Sequence, residues 1–490
     1  MTALVLAVLL ASLDQTIVST AIPRIAAELN GFSDIAWVSA AYLLASTAVT
    51  PLWGKLGDML GRKRLYLVAT STFLVASALC GLARNLPELI AARTLQGVAG
   101  GGMIVLTFAL VGDLVSAAER GRYQGLFGSV YGVASIVGPL LGGVFTDQLS
   151  WRWAFLINVP VGLVALVIAA RALPAAKRTA AARIDYLGAV LLAGAATALV
   201  LIASFGQRWG WTSPGVLGLG FAALVLIALV IPVERRAGAP VLPLSLFSSR
   251  TVVLSSAVGF IANVAMFSVL VYLPTYLQIV DGVTATLSGV HMLPLVVGLV
   301  VSQSLAGRWA AHPARRKTVL VTGMALNVAG LLLLSTLAPH TVPIALFGYF
   351  FVTGIGIGLV PMVVMTAVQN SVAATDLGAA SAVVTFARSI GAAFGVAAFG
   401  SLLASDFARR IPAHTIDPTR PDTIAALPAD VRAPLLTSFA DAIGHGFLWL
   451  VPLVAAGTVL AALLKTKAAS TGSERQDLDG TPPQHLAATK

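Results

Sequence analysis

The residues predict an all-α polytopic membrane protein, and three observations carry that prediction. The first is composition. The chain has 490 residues, of which 58% are hydrophobic and only 10% charged, whereas soluble chains average ~25% charged. The second is the recurrence of apolar runs of bilayer length. About fourteen of them, each close to the ~20 residues a spanning helix needs, lie at 3–23, 36–56, 65–83, 88–112, 123–145, 153–171, 185–205, 214–233, 252–279, 286–308, 318–337, 342–364, 377–404 and 443–464. The third is the placement of Lys and Arg. With these spans, about 21 fall on one side and about eight on the other. The orientation rule makes the richer side cytoplasmic. An odd number of spans would scramble the bias, so both termini are expected there, in a multi-pass protein of the cell membrane.

Several function classes are excluded on the same grounds. A net charge of +11 would point to nucleic acid in a soluble chain, but here the bases sit in short loops and are explained by orientation. The single cysteine, Cys80, lies in an apolar run and rules out an internal disulfide or a cysteine-built metal site. No Gly-x(4)-Gly-Lys-[Ser/Thr] loop is present, so ATP does not drive the chain. No His/Cys/Asp cluster has metal-ligand spacing. Neither an enzyme nor a cofactor is implied. Thr2–Ile22 is too long for a signal-peptide core and lacks a basic leader. The first run begins almost at Met1, which leaves room for a longer native N-terminus.

Taken in order, the first run holds Asp14 about halfway along, in Leu13-Asp14-Gln15-Thr16-Ile17-Val18. A carboxylate there costs several kcal/mol and is a functional candidate by default; the plainer alternative places it nearer the surface. Gln15 is a candidate to meet a substrate. The link between the second and third runs, Gly54-Lys55-Leu56-Gly57-Asp58-Met59-Leu60-Gly61-Arg62-Lys63-Arg64, is a knot of charge at a membrane surface. It reads at least as a positive-inside anchor. Asp58 stands alone among the bases, and the glycines let backbones approach. Asp58 is therefore expected to dock on a helix N-terminus, where dipole and free N–H groups favour a carboxylate. The expected partner is the start of the thirteenth span near Asp376–Gly378, with Gly54, Gly61 and Arg62 completing the gate.

The fourth run carries Arg93 and Gln96 on one helix face. Arg does not lose its proton readily and must find a carboxylate, carbonyls or water; the plain alternative is snorkelling. An Asp14–Arg93 contact is possible, since both lie in one half. The fifth run holds Gly128, Gly132, Gly138, Pro139, Gly142 and Gly143, small residues that allow close helix packing around a proline kink. Trp151-Arg152-Trp153-Ala154-Phe155-Leu156-Ile157-Asn158-Val159-Pro160-Val161-Gly162 follows, with aromatics that suit an interface belt. The pair 185–205 and 214–233 has no motif and is expected to pack outside the core, away from the substrate path. In the later runs Asn263 and Gln303 are polar candidates for a cavity or for helix bonding, Arg388 is a substrate-contact candidate with Gln15, Gln96 and Asn263, and His291 is left unassigned. A long loop is expected at 405–441, and a polar, disordered tail from 470 onward.

A weak internal repeat links the halves. Gly54…Arg62-Lys63-Arg64 has a counterpart in Gly307…Arg315-Arg316-Lys317, with Ala311 in place of Asp58, and Glu119-Arg120-Gly121…Gly138 matches Asp376-Leu377-Gly378…Gly395. Parallel repeats of this kind build two-bundle transporters. The domains are then 1–172 (six helices), 173–250 (linkers and two inserted helices), 251–466 (six helices) and a tail, 467–490.

These motifs resemble those of the major facilitator superfamily. The 54–64 run looks like its gating signature. The run around Arg93 is similar to a span-four motif whose Arg is linked to proton transfer. Gly-x(3)-Gly-x(5)-Gly-Pro-x-x-Gly-Gly at 128–143 resembles the motif of its exporters. With Leu13–Val18, the 151–162 run, Gln369-Asn370 and Arg388-Ser389-Ile390-Gly391…Gly395, the resemblance narrows to the fourteen-span drug:proton antiporters, the multidrug and quaternary-ammonium resistance exporters, over spans one to thirteen. Two residues depart from the pattern: Ser389 stands where an amide is expected and Ala392 where a second Gly is usual. The resemblance implies a monomer in the lipid bilayer that exchanges protons for an amphipathic small molecule, a cation being one option. An exporter of an endogenous lipid, antibiotic or siderophore is the alternative, and a non-transporting sensor a more distant one.

Overall fold

The computed structural model describes residues 1–29, 36–115, 119–174, 185–237, 243–283, 285–310, 312–339, 341–373, 376–410 and 429–464. The expected tail lies outside them. The N-terminal half comprises α1 (Thr2–Glu28), α2 (Ala36–Leu60), α3 (Arg62–Leu82), α4 (Leu86–Leu114), α5 (Arg120–Gln148) and a sixth helix in two pieces, α6 (Trp153–Leu156) and α7 (Asn158–Ala172). Next come α8 (Tyr186–Trp209), α9 (Pro214–Arg236) and a 3₁₀ turn, Leu244–Ser248. The C-terminal half comprises α10 (Arg250–Ile279), the two-piece α11 (Ala285–His291) and α12 (Leu293–Ala310), α13 (Pro313–Leu334), α14 (Pro343–Gln369), α15 (Leu377–Arg410) and α16 (Ala429–Ala462). Ten helices among the described residues are each long and apolar enough to cross a membrane.

Helices are the form lipid demands, because each backbone N–H and C=O must find its partner within the segment. Their ends are written locally. Asn85 caps α4 by accepting the Glu88 N–H at 2.9 Å, Asp185 caps α8 at Gly188 N–H (2.8 Å), and Ser213 with Pro214 opens α9. The breaks at Ile157 and Met292 each precede a proline, Pro160 and Pro294, which has no N–H to return to the preceding turn. Between α2 and α3 the whole connection is Gly61, at φ +95°, a conformation costly for any residue with a Cβ.

Within each half, buried aliphatic and aromatic side chains form the core: Leu4, Tyr66, Phe73 and Leu106 in the first, Tyr276, Phe350, Val360 and Phe447 in the second. Glycines set the closest approaches. Gly97 and Gly101 of α4 lie against the Tyr42 and Ser46 carbonyls of α2, where a Cβ would collide. The repeat is visible in the packing. The fifth helix of each half meets the first through a glycine, Gly138 against Thr16 and Gly395 against the Val264 carbonyl. The halves themselves join through α2 on α15 and α5 on α12, fifth helix to second in both directions.

Three expectations are corrected. The 405–441 loop is shorter than expected: α15 runs to Arg410 and α16 starts at Ala429, held by buried Leu435, Phe439 and Ala440, and only 411–428 lies outside the described residues. The 151–162 aromatics do not all face an interface. Trp153 is exposed, but Trp151 and Phe155 are fully buried. The inserted pair is not wholly peripheral. α9 packs chiefly on α8, whereas α8 wedges against α2 and α15 and brings Val200 to the central cavity. Its polar anchor is the Trp211 indole, which donates to the Ser401 hydroxyl at 2.6 Å.

Candidate functional site

Asp14 is fully buried. Its Oδ2 accepts from Arg93 Nη1 at 2.6 Å, and its Oδ1 accepts from Gln96 Nε2 at 2.8 Å and Asn158 Nδ2 at 2.9 Å. Arg93 also donates to the Val38 carbonyl (3.1 Å) and to Gln96 Oε1 (2.8 Å). Its guanidinium stacks on the Tyr42 ring at 4.4 Å and lies 5.7 Å from that of Phe155. Ser77 ties in α3: its hydroxyl accepts from Gln96 and Asn158 and donates to the Phe155 carbonyl. A buried ion pair is tolerable only when its remaining lone pairs and protons are satisfied, and here Val38 of α2, Gln96 of α4 and Asn158 of α7 each supply a partner, with Ser77 of α3 behind them. The break before Asn158 presents that side chain at the start of α7. Gly138 explains why the glycine run lies opposite. A Cβ there would strike Thr16, two residues from Asp14, and the Thr16 hydroxyl reaches the Ala134 carbonyl at 3.1 Å.

Beside this cluster, between the halves, lies a cavity of about 740 Å³, within the range of drug-sized pockets. Its walls reach from Thr50, Phe108 and Met362 toward the 54–64 motif to Ser39, Val271 and Ala397 toward the far ends of their helices. Gln15, Asn263 and Arg388 line it, as does Gln303. Gln96 does not; it belongs to the Asp14 cluster. Tyr42 stands between the two, on the cavity wall with Gln15, and carries Arg93 on its ring. Gln303 packs where a Gly128 side chain would be. Asn263 bonds its own helix at the Gly259 carbonyl (2.9 Å). His291 lies against Phe347 instead. Of the exporter motif, Gly132 meets Val300, Gly142 accepts the Thr146 hydroxyl, and Gly143 has open space beside it; the Pro139 side chain lies outside the described residues.

On the motif side the halves are latched. Asp58 Oδ2 accepts the Ala379 N–H at 3.2 Å, on the first turn of α15. A Cβ on Gly54 would lie 2.7 Å from the Gly378 carbonyl oxygen, so both glycines are needed for that approach. Arg62 donates to Asp58 Oδ1 through Nε (3.1 Å) and Nη2 (2.6 Å), reaches the Ala109 carbonyl (3.1 Å) and pairs with Asp113. A second latch went unrecognised in the sequence. Arg120 donates to the Gln369 carbonyl (3.1 Å) and to Asn370 Oδ1 (3.0 Å), while Gln369 Nε2 donates to the Phe108 carbonyl (3.0 Å). Toward the other end, Arg152 holds Glu28 at 2.5 Å and keeps its carboxyl below the usual range. That exposed pair is weakened as pH falls through the lowered value, and adds little stability.

Two linked helical halves around a central cavity, with an ion pair buried inside one of them, define a membrane transporter rather than an enzyme. The chain belongs to the major facilitator superfamily: residues 4–187 and 184–396 match the model described as Major Facilitator Superfamily. It is 40% identical over 95% of its length, and 69% of the relative's, to an uncharacterized transporter of this type from Mycobacterium tuberculosis. To the Multidrug transporter protein MdtP of Bacillus subtilis it is 37% identical, covering 82% and 74% of the two chains. Efflux pump dotC of Dothistroma septosporum is 33% identical, covering 96% and 85%. In fold it is similar to the human organic anion transporter MFSD10, with a TM-score of 0.62, 15% identity and coverage of 92% and 98%.

Proposed function

We propose that the protein is a fourteen-span, proton-coupled efflux antiporter that exports amphipathic compounds across the cell membrane by alternating access. Both termini are cytoplasmic, and it works as a monomer. The observation that carries this reading is Asp14, an acid buried within a spanning helix and held by Arg93, Gln96 and Asn158. Both Asp14 oxygens accept hydrogen bonds, the arrangement that suits a carboxylate. A proton on Asp14 cancels the attraction to Arg93 and leaves a guanidinium to find new partners, so α1 and α4 prefer different arrangements in the two protonation states. Tyr42 and Gln15 link that change to the cavity wall. Substrate in the cavity favours proton release, and protonation favours substrate release. The Asp58 and Arg120 latches seal the cytoplasmic side in this conformation, so the cavity faces outward.

The test is reconstitution of Asp14→Asn. It should bind substrate and run downhill exchange, yet fail to pump against a gradient or to acidify the buffer that supplies substrate when substrate drives the cycle backward. Uphill pumping with unchanged pH dependence would move the proton to another residue.

A further inference from the structure

Arg93 and half-buried Arg388 both stand inside the helical bundle, and the structure treats them differently. Arg93 has Asp14, Gln96 and a carbonyl. Arg388, on the first third of α15, lines the cavity. Its Nε is buried without a hydrogen-bond partner, and its electrostatic neighbour is a phenol, Tyr131, on the facing α5. Its stem rests on Gly259 of α10, where a Cβ would lie 3.2 Å from Arg388 Cγ. No Asp or Glu stands among the described residues that line the cavity, and the one deep acid, Asp14, is fully committed to its own cluster behind Tyr42.

A guanidinium keeps its charge, and one partly withdrawn from water without a counter-ion is left incompletely satisfied. A planar fork facing an apolar chamber of drug size is thus an incomplete site for a carboxylate or sulfonate, with Phe108, Phe267 and Met266 available to the hydrophobic body. The same charge repels cations from that wall. We infer that the substrate class is the amphipathic organic anion, its acidic head taken by Arg388 opposite Tyr131. This rests on the efflux reading and replaces its cationic option.

The experiment uses everted membrane vesicles holding the full chain, energised by respiration, and three fluorescent probes. These are 1-anilinonaphthalene-8-sulfonate, N-phenyl-1-naphthylamine (nearly the same scaffold without the sulfonate) and ethidium. Wild type is expected to take up the sulfonate in preference to the neutral amine. In Arg388→Gln the sulfonate-to-amine ratio should fall about tenfold, as expected for loss of a charge-assisted bond. Arg388→Lys, which keeps charge without the fork, should fall between, and it decides the matter if the neutral variant does not insert. An unchanged ratio in both variants, or a wild type that prefers ethidium, overturns the inference while leaving efflux intact. A wild type that moves none of the three overturns the efflux reading and this inference with it.

Discussion

Replacing Asp58 by Asn tests the latch in a form that can be calculated. The two side chains have nearly the same shape, so packing against Gly54 and Gly378 is retained. What changes is charge. The Arg62 bonds to Asp58 lie within one half, so if the halves move as units, as the proposed cycle requires, their loss cancels from the equilibrium to first order. Ala379 N–H belongs to the other half and is bonded only when the motif side is closed. A hydrogen bond to a charged group contributes about 1.5–3 kcal/mol and a neutral one about 1. The Asp58 side chain is only 8% exposed, so solvent screens little of that difference. The closed state should therefore lose roughly 0.5–2 kcal/mol, a shift of about 2–30-fold in population. Spin labels at Arg64 and His312, both exposed and on opposite halves, report the motif-side separation by pulsed dipolar spectroscopy; Cys80 is buried and stays unlabelled. The long-distance population should grow and export should slow. An Asp58→Asn protein with an unchanged distance distribution and normal transport would refute the reasoning.

Other outcomes follow from the same geometry. Gly138→Val should push α5 away from Thr16 and impair coupling, whereas Gly143→Ala, with nothing within 4 Å, should be tolerated; proton-linked efflux by the two variants at equal expression decides it. Gly97→Ala should push α4 off the Tyr42 carbonyl of α2 and destabilise by about 1–3 kcal/mol, as overpacking does, lowering the thermal midpoint in detergent. Cysteine placed at Val200 should react with a maleimide from the cavity and be shielded by substrate; equal labelling with and without substrate would return α8 to the periphery. If an anion leaves as a proton enters one for one, both moves carry positive charge inward, contributing ~4.6 kcal/mol at 100 mV. Imposed potential should then drive export even without a pH gradient.

Much of this architecture is legible in the residues because lipid imposes one solution. Apolar runs of bilayer length must be helices; Asp14 and Arg93 stand out by the cost of burying them, and Asp58 as the lone acid among four bases. The docking partner of Asp58 could be named near Asp376–Gly378 because a carboxylate is favoured at a helix N-terminus. Asn158 was hidden for a different reason. It sits in an aromatic-rich run whose simplest meaning is an interface, and only the break before Pro160 turns it toward Asp14. Arg120, Gln369 and Asn370 lie near helix ends, where polar residues carry no special cost, so their bonds across the halves are tertiary facts. Gln96 shares a face with Arg93, but which way that face turns depends on α1 and α3. Val200 is apolar within an apolar run, and no pattern separates a lipid-facing valine from one on a chamber wall.

The two halves pack alike, fifth helix on first through Gly138 and Gly395, yet their polar cargo has diverged. The acid and its three partners all sit in one copy; the cavity arginine sits in the other. That separation has an evolutionary consequence. On the roles proposed above, substitutions around Arg388, Asn263 and Met266 would retune what is carried while the ion pair around Asp14 stays untouched. Variants selected for a new substrate should therefore accumulate on the walls of the C-terminal copy, and the energy source should be inherited unchanged.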